Sequence, residues 1–158
     1  RWDVAVNDDV PPALRNRLGI AVAKDTYRAY RRLLASPRWR TLADAGALPQ
    51  RVLWASTGTK DPSAADTLYV EALAAPDTIN TLPDKTLLAF ADHGNVGPPM
   101  ADDGGDADAV LARFGAAGVD VDALATRLQK DGAAAFVKSW RELLGRVGSK
   151  RASLATAS

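Results

Sequence analysis

Two spacings organise the apolar residues of this 158-residue chain. Leu14, Leu18, Ile20 to Val22, Tyr27, Tyr30, Leu33 and Leu34 recur at near-helical intervals. They predict an amphipathic helix from about Pro11 to Ala35, with Gly19 as its weak point. Ser36 has the side chain to cap a short second helix, with Pro37 in its first turn and Gly46 just past its end. A different pattern fills Arg51–Ser56, a short apolar run between Pro49 and Gly58 that reads as a strand. Asp66–Ala74 suits a short helix through Leu68, Tyr69, Val70 and Leu73. In Asp77–Pro83 the Thr and Ile residues favour the pleat and Pro83 closes it, so a further strand is expected. Pro83-Asp84 opens a helix with Leu87, Leu88 and Phe90 that ends at His93-Gly94.

Beyond the Gly-, Pro- and Asp-rich loop Asn95–Gly105, the helical period returns. Asp106–Ala117 places Val110, Leu111 and Phe114 on one face, and Gly118 ends it. Val119 to Asp122 can cap a helix over Ala123–Lys130. Gly132 then separates it from a last helix, Ala133–Val147, with Phe136, Val137, Trp140, Leu143 and Leu144 expected inward. Trp39, Phe90, Phe114, Phe136 and Trp140 all read as core. Ser149–Ser158 is small and polar and reads as a flexible tail or linker, giving a domain at 1–148 and a tail at 149–158.

Trp2 to Val6 is either a strand end or an extended entry to the first helix. Counted as a strand, it makes the order strand, helix, helix, strand, helix, strand, then helices. This alternation predicts an α/β fold with a parallel sheet. Three strands leave open hydrophobic edges. Together with an opening inside a strand-like stretch, this makes the chain read as a piece of a longer protein.

Composition changes the picture little. Hydrophobic residues are 47% and charged residues 25%, ordinary for a globular domain. Twenty Lys and Arg against 19 Asp and Glu give no electrostatic reason to expect nucleic acid or an anionic membrane. Arg28, Arg31, Arg32, Arg38 and Arg40 read as a solvated helix face. The absence of cysteine excludes disulfides, thiolate catalysis and zinc–cysteine sites. No apolar stretch approaches the ~20 residues that span a bilayer, and the default compartment is the cytoplasm.

The candidate chemistry lies at Ser56-Thr57-Gly58-Thr59-Lys60. In parallel α/β folds ligands gather at the C-terminal ends of strands. Here hydroxyls, a glycine and a lysine follow such an end. They can form a phosphate cradle or an ordinary Ser/Thr/Gly turn, and the order GxxxxGK[ST] of a P-loop is absent. Asp61 can be a turn residue or a partner of Lys60. Asp102, Asp103, Asp106 and Asp108 invite a calcium reading but lack the EF-hand order, so a solvated loop is expected. His93, the single histidine, reads as a helix C-terminal cap, and no Ser-His-Asp set closes around it.

Arg51-Val52-Leu53-Trp54-Ala55-Ser56-Thr57-Gly58-Thr59-Lys60-Asp61-Pro62, then Asp66-Thr67-Leu68-Tyr69-Val70-Glu71 and Pro76-Asp77-Thr78-Ile79-Asn80-Thr81-Leu82-Pro83, resemble transaldolases. They are most similar to the longer bacterial type that also occurs fused to phosphoglucose isomerase. Phe90-Ala91-Asp92-His93-Gly94 and Ala135 to Leu144 fit the same family, so the resemblance runs to about Val147. It implies the C-terminal part of a (β/α)₈ TIM barrel, about strands six to eight, plus closing helices. Strand seven would be Val52 to Ser56 and strand eight Thr78 to Leu82.

The implied parent transfers a dihydroxyacetone unit between sugar phosphates through a lysine Schiff base, with no cofactor. That lysine and the acid–base groups belong to earlier strands, so no residue here is expected to be catalytic. The resemblance makes Arg1, Ser56 and Lys60 substrate phosphate-binding residues. Arg1 matches the arginine after strand six, and Ser56 the strand-seven serine. Lys60 stands where shorter members place an arginine. It is not the nucleophile, since its polar Thr/Asp surroundings would not lower its pKa. The expected partners are sugar phosphates, the rest of the barrel upstream and a possible fused isomerase. A fructose 6-phosphate aldolase-like enzyme and a non-catalytic helix-rich interaction module are the alternatives.

Overall fold

The first helix starts seven residues later than its apolar period suggests, and one buried carboxylate explains why. In the computed structural model, which describes residues 1–155, α1 spans Leu18–Ala35. Arg17 precedes it without a side-chain cap. The cap comes instead from Asp3: its Oδ1 accepts the Leu18 amide at 2.8 Å, and its carboxylate accepts the Gly19 amide at 3.1–3.2 Å. These are orphan donors of a helix start, satisfied by a residue far off in sequence.

Gly19 is therefore no break. A Cβ there would lie 2.6 Å from Asp3 Oδ2, so only glycine admits the carboxylate. Burying Asp3 also turns the chain around it. Asp3–Ala5 is a 3-10 turn, not a strand, with the Asp3 carbonyl accepting from Val6 and Asn7 at 3.0 and 2.8 Å. The stretch Pro11–Arg17 stays outside the helix because Pro12–Leu14 forms another 3-10 turn and Asn16 adopts φ +59°.

Downstream, α2 (Pro37–Asp44) follows the sequence expectation. Ser36 Oγ accepts the Trp39 amide at 3.2 Å, Pro37 occupies the first turn, and Gly46 takes φ +93° beyond the end. Next come β1 (Val52–Trp54), α3 (Leu68–Ala72), β2 (Thr78–Asn80) and α4 (Asp84–His93). Among the described residues β1 and β2 make a two-stranded parallel sheet in register Val52↔Thr78, Leu53↔Ile79, Trp54↔Asn80. The expected third strand is the Asp3–Ala5 turn.

Behind this sheet lies the core. Ala23, Tyr27, Tyr30, Trp54, Leu73 and Met100 cluster, with Leu34, Val52, Tyr69 and Ala75 packed against them. Burying a large apolar side chain is worth about 1.5–3 kcal/mol, so this cluster joins α1, β1 and α3 firmly. The other side of the pleat is open: Leu53 is 51% and Ile79 42% exposed. Along α1 lies α5 (Ala107–Ala116), whose Ala107, Val110 and Phe114 are buried. Gly118, at φ +87°, follows its end as expected.

The chain divides into two compact units, Arg1–Val119 and Asp120–Ser158. The second contains α6, one unbroken helix over Val121–Ala155. Asp120 caps it, its Oδ1 accepting the Ala123 amide at 2.9 Å. Gly132 does not separate two helices. A mid-helix glycine costs about 1 kcal/mol relative to alanine, and Ala133 to Ala135 follow immediately. Ser149 to Ala155 continue this helix, and Thr156 to Ser158 lie outside the described residues.

Phe136, Val137, Trp140, Leu143 and Leu144, expected inward, are at least half exposed. Within its own unit α6 is the only described element, so that unit has no second layer against which to bury a face. Of the five aromatic residues expected in the core, Phe114 is fully buried and Trp39 and Phe90 are half-buried.

Candidate functional site at the C-terminal end of the parallel strands

Immediately after β1 the backbone makes a strained turn. Ser56 adopts φ +53°, a left-handed conformation uncommon outside glycine. What holds it is the equivalent end of β2. The Ser56 amide donates to Thr81 Oγ1 at 2.8 Å. The Thr81 hydroxyl and amide both donate to the Trp54 carbonyl at 3.0 Å. Thr57 completes the tie: its amide donates to the Thr81 carbonyl at 3.0 Å and its hydroxyl to Asn80 Oδ1 at 2.6 Å. Thr57 is buried while Ser56 is exposed.

Beyond Thr57 the loop lies against the start of α4. A Cβ on Gly58 would meet Pro83 Cγ at 3.0 Å and Thr86 Oγ1 at 3.2 Å, so this close approach favours glycine. Among the described residues the amides of Gly58, Thr59 and Lys60 make no hydrogen bond, nor does the Ser56 hydroxyl. Neither Lys60 nor the Arg1 guanidinium has an ion pair there. Open amides, a hydroxyl and unpaired cations at a strand end are the elements of an anion site.

The N-terminal segment is drawn to the same loop by a chain of amide side chains. Asn16 is bracketed by Asn7, donating its amide to Asn7 Oδ1 at 3.0 Å and accepting from Asn7 Nδ2 at 2.7 Å. Asn16 Nδ2 then donates to Asp61 Oδ2 at 2.6 Å. Asp61 also accepts from the Ser63 amide at 2.9 Å and hydroxyl at 2.6 Å. It is a turn residue and not the ion-pair partner of Lys60. These bonds, the one from Asn16 foremost, draw its carboxyl down to about 2.

Tyr69 donates its hydroxyl to Asp3 Oδ2 at 2.6 Å, and burial followed by that bond raises the phenol. Asp3 thus ties the Arg1 segment to both α1 and α3.

Away from this loop, the acidic stretch is not merely solvated. Asp106 pairs with Lys24 at 2.5 Å and Arg17 at 3.7 Å, and Asp108 with Arg28 at 2.6 Å. Asp102 pairs with Arg31 at 3.0 Å and accepts from Tyr27. Arg28 and Arg31 therefore leave the solvated basic face assigned to them, because Asp108 on α5 pairs with Arg28, and Asp102 and Asp77, outside α5, pair with Arg31. No group of side chains among the described residues could hold a metal ion. His93, at the end of α4, places Nε2 2.9 Å from Asp66 and Nδ1 3.1 Å from Asp92.

Sequence reasoning missed Thr81 and Asn16 as parts of this site. The clue for Thr81 was its place just beyond the second strand, as Ser56 stands just beyond the first. Nothing local marked Asn16, whose role depends on residues 45 positions away.

No helix among the described residues is long and apolar enough to cross a membrane. The family model described as Transaldolase/Fructose-6-phosphate aldolase matches residues 1–147. A curated transaldolase from Arthrobacter sp. is 46% identical over 98% of this chain and 42% of its own length. One from Renibacterium salmoninarum is 44% identical over 96% of the chain and 41% of its own length. One from Neisseria meningitidis is 40% identical over 91% and 41%. The chain thus spans about two fifths of the length of these relatives, and it belongs to the transaldolase/fructose-6-phosphate aldolase family.

Proposed function

We propose that this chain is the C-terminal part of a transaldolase and supplies its grip on the substrate phosphate. In this reading β1 and β2 are strands seven and eight of a (β/α)₈ barrel, and residues 1–148 form its C-terminal portion, with the chain leading away from 149. The exposed row of Leu53 and Ile79 is then a face that the remaining barrel covers. The whole enzyme transfers a dihydroxyacetone unit from sedoheptulose 7-phosphate to glyceraldehyde 3-phosphate in the cytoplasm. Its Schiff-base lysine and acid–base groups lie on earlier strands.

The observation that carries this reading is the turn after β1. There Ser56, with an unengaged hydroxyl, precedes three open amides and Lys60, and neither Lys60 nor the Arg1 guanidinium has an ion pair among the described residues. The hydroxyl and amides donate to phosphate oxygens, and the two cations offset the phosphate charge. Such sites gather at the late loops of this fold. The relatives' name supports aldehyde-acceptor transfer over simple aldol cleavage of fructose 6-phosphate.

In a full-length transaldolase carrying this segment, Ser56→Ala, Arg1→Ala and Lys60→Ala should each raise KM for phosphorylated substrates. Unchanged KM in all three would remove the phosphate role. The 158-residue chain alone should turn over no fructose 6-phosphate with erythrose 4-phosphate. Turnover would place the catalytic lysine within it.

A further inference from the structure

Ser56 is the residue the phosphate reading depends on, yet its conformation is one that serine adopts reluctantly. At φ +53° its Cβ crowds the following peptide. Left-handed residues at such places persist only where neighbours over-determine them. The neighbour here is specific. Thr81 Oγ1 accepts the Ser56 amide at 2.8 Å and donates its own hydrogen bond to the Trp54 carbonyl at 3.0 Å. The Thr81 backbone meets the same carbonyl at 3.0 Å and receives the Thr57 amide at 3.0 Å. One threonine thus fixes the carbonyl two residues before Ser56, the amide of Ser56 and the amide after it.

We infer that Thr81 is a positioning residue: its hydroxyl locks the left-handed turn that presents the Ser56 hydroxyl to substrate phosphate. This inference rests on the reading of Ser56 as a phosphate ligand. The hydroxyl acts both as acceptor and donor, so valine, nearly the same shape, removes both bonds while filling the same space. Serine keeps both and removes only a methyl group.

The test is steady-state kinetics on a full-length transaldolase carrying Thr81→Val, Thr81→Ser, Ser56→Ala and the Thr81→Val/Ser56→Ala double change. Inorganic phosphate serves as competing probe. Thr81→Val should raise KM for the phosphorylated substrates and the inhibition constant of phosphate by about tenfold, with kcat within about twofold, as expected for one lost hydrogen bond. Thr81→Ser should restore both. In the Ser56→Ala background Thr81→Val should add nothing further.

A folded Thr81→Val enzyme with unchanged KM overturns the inference while Ser56→Ala still raises KM. So does equal damage from Thr81→Ser, which would make the methyl group the important part. Full additivity of the double change overturns it as well. If Ser56→Ala itself leaves KM unchanged, the phosphate reading fails and the inference fails with it.

Discussion

Asp3 and Gly19 fit together as carboxylate and vacancy: Asp3 Oδ2 lies 3.1 Å from the Gly19 amide, at the side where any other residue would carry its Cβ. The pair substitutes for the capping residue that Arg17 cannot be. Asp3→Ala in the full-length enzyme should therefore cost about 3 kcal/mol, as buried donors lose a charged acceptor. Gly19→Ala should destabilise too, by forcing the carboxylate away. Urea unfolding measures both, and the double change should cost much less than the sum, since each disrupts the same contact.

Ser56 separates strain from binding. Ser56→Gly removes the left-handed penalty, worth about 1 kcal/mol, and should raise the unfolding free energy by about that much. It also removes the hydroxyl, so KM for phosphorylated substrates should rise as in Ser56→Ala. A stability gain without the KM change would leave Ser56 a turn residue only.

His93 gives the segment a pH-dependent tie. Bonding first to Asp66 and then to Asp92 holds the imidazole pKa above its ordinary value, and His93 in turn lowers Asp66. A raised histidine contributes stability that is full below its unfolded pKa, about 6.5, and is lost as pH rises through the folded value. A lowered carboxylate contributes above its unfolded pKa, about 3.9, and loses this as pH falls through the folded value. The melting-temperature difference between wild type and His93→Gln should thus be largest between about pH 4 and 6.5 and shrink above. A difference that persists unchanged at high pH would show packing and not charge.

The ion pairs of Arg28 and Arg31 on α1 should respond to salt. Arg28 bridges Asp25 and Asp108, Arg31 bridges Asp77 and Asp102, and three of the four carboxylates are more than half exposed, Asp25 being 49% exposed. Exposed pairs weaken as screening shortens from about 10 Å at 0.1 M to about 3 Å at 1 M salt. Asp108→Asn should lower the melting temperature slightly at low salt and have no effect at high salt. An equal effect at both would mean the side chain acts by packing.

Two tyrosines on α1 should behave oppositely. Tyr27 donates to the Pro76 carbonyl or to Asp102, each at 3.3 Å, whereas the buried Tyr30 hydroxyl has no partner among the described residues. Tyr30→Phe should be neutral or stabilising. Tyr27→Phe should cost about 1 kcal/mol in thermal unfolding.

Elements carried by local chemistry were legible in the sequence. Ser36, Pro37 and Gly46 bounded α2 correctly, and Gly118 ended α5. The strand run and its Ser56–Lys60 end were placed correctly, because a short apolar run closed by Gly and hydroxyls has few other uses. What escaped was set by distant partners. The period of α1 extends back to Leu14, but the helix waits for Asp3, and alternation at Trp2–Val6 gives no sign of a carboxylate turning inward. Apolar spacing along α6 identified a helix face and said nothing of what stands opposite it. At the site, the candidate residues were visible by type, but their support by Thr81 and Asn16 exists only once the chain is folded.

The hydrogen-bond chain from Asn7 through Asn16 to Asp61 has a practical consequence for engineering. The loop after β1 is not a portable module. Grafted alone into a related barrel, it would arrive without the anchor that sets its far end. Exchanging it between enzymes requires moving positions 7, 16 and 61 as one unit.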